Sequence, residues 1–104
     1  MDAINVTLNH SELSRADFSR RGGSAGWPSA STSEHLARLK REALIEAGHA
    51  PEGLRLEACW TEDRRYHVVL VAATPAGDVV LDSRRDEILP LHAVRYRWVG
   101  PLVS

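Results

Sequence analysis

The residues best suited to chemistry sit in one short stretch, Tyr66-His67-Val68-Val69-Leu70-Val71-Ala72, then Thr74-Pro75-Ala76-Gly77, then Asp78-Val79-Val80-Leu81-Asp82. Two apolar runs flanking a Pro/Gly turn predict a β-hairpin. With the turn centred on Pro75-Ala76, Val69 falls opposite Asp82, so His67 and Asp82 become diagonal neighbours on one face. An imidazole oriented by a carboxylate is two thirds of a hydrolytic triad. The spacing therefore predicts a base and its orienter, and leaves open which residue, if any, they serve. Asp82 followed by Ser83-Arg84 also reads as a plain turn residue, so its role depends on that of His67.

Cys59 is the only thiol, which excludes an internal disulfide and a cysteine-rich zinc site. Strand alternation puts it on the His67 face, but a strand interior has neither a helix dipole nor a ready oxyanion hole. It is expected to be a half-buried, unreactive thiol. The five histidines, at positions 10, 35, 49, 67 and 92, show no His-x-x-x-His spacing, so no metal site is expected.

The elements that must position these residues follow from periodicity. Ile4, Val6 and Leu8 alternate and predict a short strand or extended arm over residues 1 to 10, and Ser11 to Arg21 predicts a short polar helix. Gly22 to Ser31 is a small-residue loop, in which Trp27 is placed to act as a lid. Ser33 to Ala47 predicts a helix with Leu36, Leu39, Ala43, Leu44 and Ala47 inward and Arg38, Lys40, Arg41, Glu42 and Glu46 outward. Ser31-Thr32-Ser33-Glu34 supplies hydroxyls for the free N–H groups of its first turn, while Gly48 and Pro51 stop it. Leu54 to Trp60 alternates as a strand, Thr61 to Arg65 turns the chain into the hairpin, and Val94 to Val99 reads as a last strand. Trp60 and Trp98 are assigned to the core or a cleft wall. The Arg64-Arg65 and Arg84-Arg85 pairs read as solvated turn charges, or as an anion-binding patch if one end of the sheet gathers them. The fold class is α+β, with an N-terminal helix packed on an antiparallel β-sheet. Residues 1 to 30 form an arm and loop and residues 31 to 104 the core of a single domain.

Composition narrows the function classes. The 104 residues are 43% hydrophobic and 26% charged with a formal net charge of −1, as in an ordinary globular domain. That balance gives no basis for a nucleic-acid or anionic-membrane surface. No apolar run approaches the roughly 20 residues needed to span a bilayer, and Met1-Asp2-Ala3-Ile4-Asn5 lacks a signal-peptide pattern. A cytoplasmic location is the expectation.

Taken together, Ser33-Glu34-His35-Leu36-Ala37-Arg38-Leu39-Lys40, the His67-Val68-Val69-Leu70-Val71 strand, the Val80-Leu81-Asp82 strand end and Tyr96-Arg97-Trp98 resemble the bacterial transglutaminase-like cysteine peptidases, a branch of the papain-like and transglutaminase-like superfamily. The resemblance covers about residues 31 to 99. In that family a Cys-Glu-Asp at a helix start, a His-Ala-Val-Leu strand and a Leu-Asp-Asn strand end supply Cys, His and Asp in that order.

The resemblance implies that His67 is the general base and later the general acid, that Asp82 orients it, and that Ser33 stands where the family has its cysteine. It implies amide hydrolysis or acyl transfer on a protein or peptide. No cofactor is implied. Some adhesin-processing members bind calcium through acidic residues around the nucleophile, but here Thr32 and His35 occupy two of those positions and only Glu34 remains, so calcium is not expected. A serine depends wholly on His67 for deprotonation, which predicts weak or absent activity: a pseudoenzyme, a natural serine variant or a deliberate Cys→Ser change. Ser33 also has a bland reading as an ordinary helix-start serine. Two rivals remain: a non-catalytic protein-binding module, such as a phage-type accessory protein, and a structural subunit assembled through the 1 to 30 arm. The sequence leaves the oligomeric state open.

Overall fold

A computed structural model describes residues 1–11 and 30–102. The elements are helix α1 (Asp2–Asn9), helix α2 (Ala30–Glu46) and strands β1 (Leu54–Trp60), β2 (Tyr66–Thr74), β3 (Gly77–Leu81), β4 (Leu89–Pro90) and β5 (Arg97–Pro101). The strands form one antiparallel sheet in the order β4-β3-β2-β1-β5, with α2 packed on it. This is the α+β layout that the periodicities predict. The expected polar helix over Ser11 to Arg21, and Trp27 with its loop, lie outside the described residues apart from Ser11.

The hairpin register is the expected one. Thr74 pairs with Gly77 across Pro75-Ala76, and Leu70 pairs with Leu81. Gly77 adopts φ +118°, which a side chain would strain, and the Thr74 hydroxyl donates to the Gly77 carbonyl at 2.6 Å to close the turn. Strand β2 is buried without a break from His67 to Ala72, as befits a central strand covered on both faces. Val68, Leu70 and Ala72 pack with Leu56 and Leu81 against Ala37 and Leu44 of α2. Val69 and Val71 face the other way, with Cys59, Val80, Val94 and Tyr96.

Helix α2 begins three residues earlier than expected, at Ala30, and ends in a Schellman motif. The Gly48 N–H donates to Ile45 O and the His49 N–H to Leu44 O, both at 3.0 Å, with Gly48 at φ +104°. Its buried stripe is Ser33, Leu36, Ala37, Lys40 and Leu44, whereas Leu39 and Ala43 are half-buried and Ala47 is exposed. Lys40, expected on the outer face, is 1% exposed.

The structure corrects a second expectation through the same contact. Residues 2 to 9 are a helix rather than a strand: Asn5 and Asn9, one turn apart, are buried, Ile4 and Leu8 beside them are half-buried, and Val6 is exposed. The Asn5 side-chain amide donates to the carbonyls of Arg85 (3.1 Å) and Asp86 (2.9 Å). That of Asn9 donates to the carbonyls of Asp82 (3.0 Å) and Arg85 (2.9 Å). The Asn9 side-chain oxygen accepts from the Lys40 ammonium at 2.7 Å. Helix α1 therefore ties α2 to the loop after β3 through polar groups, and a buried charge finds its partner there.

Burial lowers the Lys40 pKa from 10.5 to about 8, with Asp82 and Asp86 opposing the shift. Between those two pH values the unfolded chain holds a proton that the folded chain has released, so stability attributable to Lys40 rises with pH. Urea unfolding of the parent chain and Lys40→Met at pH 7.5 and 10.5 should show the gap moving about 2–3 kcal/mol in favour of lysine. The Cys59 and Tyr96 titrations are common to both chains and cancel. A pH-independent gap would contradict the buried ammonium.

Candidate active site

The site forms where β2 and β3 part. Their pairing runs from Thr74–Gly77 to Leu70–Leu81, and beyond that point the start of β2 has no β3 partner. Two groups fill the gap. The Val68 N–H donates to the Ser33 hydroxyl at 3.1 Å, bringing the first turn of α2 against the strand. Asp82, one residue past β3, meets His67 with Asp82 Oδ1 2.6 Å from His67 Nε2. Ser33 is 0% exposed, and His67 and Asp82 are 1% exposed.

The Asp82 carboxylate is satisfied on both oxygens. Oδ1 also accepts from the Arg84 N–H at 2.9 Å, and Oδ2 accepts from the Tyr96 hydroxyl at 2.6 Å. The Arg85 guanidinium stands 3.8 Å from Oδ2. Burial alone pushes this carboxyl up, but the hydrogen bonds and charge of His67, with Tyr96 and the Arg84 N–H, outweigh it and hold the pKa at about 2. An ionised carboxylate only accepts, so Nε2 of His67 carries the hydrogen and, in the neutral ring, Nδ1 is the free base. The Tyr96 ring packs edge-on to His67 at 5.8 Å between centroids, fixing its plane.

Ser33 is bonded differently from a helix-start cap. It is the fourth residue of α2, and its hydroxyl donates to the Ala30 carbonyl at 2.8 Å while accepting from Val68. It makes no hydrogen bond to His67. Of the sequence-predicted residues, His67 and Asp82 are joined on the face shared with Cys59, Val69 and Tyr96, whereas Ser33 comes in with α2 from the other face and its hydroxyl is turned back into its own helix.

Cys59 lies directly across from His67 on β1, and its Sγ donates to the His67 carbonyl at 3.5 Å. It is fully rather than half buried, and burial followed by the nearby Asp82 charge pushes its thiol up to about 12. Arg65 and Arg84 both bind the Asp63 carboxylate, so part of the arginine set at this end of the sheet is already neutralised. Sequence reasoning gave no site role to Asn9, Lys40 or Tyr96. The signals were an asparagine pair at i, i+4 and a tyrosine on the inward parity of the closing segment. Among the described residues, no group of three or more His, Cys, Asp or Glu is gathered to hold a metal ion, and no helix is long and apolar enough to cross a membrane.

Comparison with known proteins adds a family. The family model described as bacterial transglutaminase-like cysteine proteinase (BTLCP) matches residues 1–101, so the match takes in α1 as well as the core. Among solved structures, calcium-bound LapG of Legionella pneumophila superposes with a TM-score of 0.71 at 20% identity, covering 99% of this chain and 63% of that one. A second LapG structure gives 0.70 at 20% identity over 98% and 61%. EGTA-treated LapG gives 0.59 at 27% identity over 64% and 38%. The chain therefore spans less than two thirds of the length of each LapG chain. No curated protein matches the sequence.

The depressed Asp82 pKa fixes a pH dependence. A carboxyl whose pKa is lower in the fold stabilises it above the unfolded value of 3.8, and that contribution disappears as pH falls through about 2. The stability advantage of the parent chain over Asp82→Asn should shrink by about 2 kcal/mol between pH 5 and 2. Denaturant titrations at those pH values measure it, and a constant difference would contradict an ionised Asp82.

Proposed function

The chain belongs to the bacterial transglutaminase-like cysteine proteinase family, and from that premise we propose that it is a peptide-engaging domain of the cysteine-peptidase type with little or no turnover of its own. In this reading His67 is the base, Asp82 orients it, and Ser33 occupies the nucleophile position. Its substrate class is a peptide or protein amide.

One observation carries the reading: the Ser33 hydroxyl gives its proton to Ala30 O and accepts from the Val68 N–H, while the His67–Asp82 pair is fully made. Attack on a carbonyl needs the reverse arrangement, with the hydroxyl proton directed at the free Nδ1 of His67. Serine gains little from its position, because its hydroxyl stays protonated near neutral pH. A thiol in the first turn of α2 would ionise more readily beside the helix N-terminus. The same bonding favours a second reading in which the cleft only holds a protein segment.

Ser33→Cys distinguishes the two. Treated with a thiol-directed peptide electrophile, the variant should form one covalent adduct, located by peptide mass mapping at position 33. Adding His67→Ala should slow labelling by about 10²-fold, the scale of general-base assistance. Cys59 supplies a quiet background, being buried with its thiol pushed up to about 12. Labelling confined to Cys59, or a rate indifferent to His67, would leave only the binding reading.

A further inference from the structure

Three side chains at the open end of the sheet are unused by the site. Tyr66 on β2, Trp60 on β1 and Arg97 on β5 are directly paired across the strands, Trp60 with Tyr66 and Trp60 with Arg97. Directly opposed residues project to the same face, so the three form one cross-strand row. By alternation that face also bears Val68, Leu70 and Leu56, and it is the face on which α2 packs. The row stands two residues, about 7 Å, along β2 from Val68, the residue whose N–H reaches Ser33.

Its character differs from the rest of the surface. Trp60 is 44% and Tyr66 39% exposed, packed edge to face with ring centroids 5.4 Å apart. Exposed Trp and Tyr in contact are the residues most enriched at binding hot spots. Arg38, Arg55, Arg65 and Arg84 each bind a carboxylate. Arg97, like Arg64 and Arg95, is exposed and has no carboxylate partner among the described residues, but it alone of the three stands directly beside Trp60 in the row.

We propose that this row is the wall of a peptide-binding groove leading to Ser33, selective for an extended acidic segment: an apolar side chain lies against Trp60 and Tyr66 and a neighbouring carboxylate pairs with Arg97. The inference rests on the peptide-engaging reading of the site and names its ligand class. Arg97 at one end of the row, exposed and without a carboxylate partner among the described residues, favours an occupant that brings a carboxylate, and a second copy of the chain is an outcome of the test.

Fluorescence anisotropy on the full chain tests it with two labelled decapeptides, one alternating Leu and Asp and the other alternating Leu and Lys. The acidic peptide should bind and the basic one should not. Arg97→Glu, a surface change with no buried partner to lose, should weaken the acidic peptide at least tenfold and admit the basic one. Trp60→Ala should weaken the acidic peptide at least tenfold, with circular dichroism confirming the fold. Absent binding, equal affinity for both peptides, or affinity unchanged in both variants would overturn the proposal. So would a concentration-dependent dimer in sedimentation that Trp60→Ala abolishes. These measurements need no reactive group at position 33, so their failure and a failure of Ser33→Cys labelling are separate results.

Discussion

The buried carboxylate of Asp82 is the constraint on which this end of the molecule depends. An ion taken out of water costs several kcal/mol unless its lone pairs are filled, and here four elements fill or hold them. Strand β2 supplies His67, the segment before β5 supplies the Tyr96 hydroxyl, the loop after β3 supplies the Arg84 N–H, and α1 grips the Asp82 carbonyl through Asn9. Removing any one partner leaves polar groups buried and unmatched. The position of the 82–86 loop is therefore dictated by the charge it carries, and the tautomer of His67 follows from the same charge.

Serine at position 33 has a different relation to this network. It touches the network only through the backbone of β2, by the bond from Val68, and its own proton is spent on the first turn of α2. A hydroxyl can satisfy both of those bonds at once, whereas a thiol is a weak donor and a weak acceptor. The serine is accordingly well suited to stitch helix to strand.

How much of this was legible in the sequence depended on how local the cause was. The hairpin and the His67–Asp82 pair could be read because a Pro-Ala turn and strict alternation fix the register over sixteen residues. The end of α2 could be read because Gly48 and Pro51 are sufficient signals. Helix α1 could not, because the reason it is a helix with asparagines inward lies at residues 82 to 86, 73 or more positions away. Ile4, Val6 and Leu8 imitate a strand, and the true period lies in the i, i+4 pairs Asn5/Asn9 and Ile4/Leu8. Lys40 was misplaced for the same reason: a lysine on an apolar stripe reads as an outer residue until its acceptor is known. The start of α2 was misplaced by three residues because the run of hydroxyls offered several equivalent caps, and the helix begins before all of them.

Lys40 also explains why the two halves of the site stay in register. It sits two turns along α2 from Ser33, and its ammonium reaches Asn9, whose amide in turn holds the Asp82 carbonyl. The helix that carries Ser33 and the loop that carries Asp82 are thus joined by a buried polar chain as well as by the sheet between them. Such a chain is costly when only partly satisfied, so substitutions within it are penalised through stability whether or not the site turns over. Ser33 is tied in separately, by two backbone partners, the Ala30 carbonyl and the Val68 N–H, and so stands outside that buried polar chain.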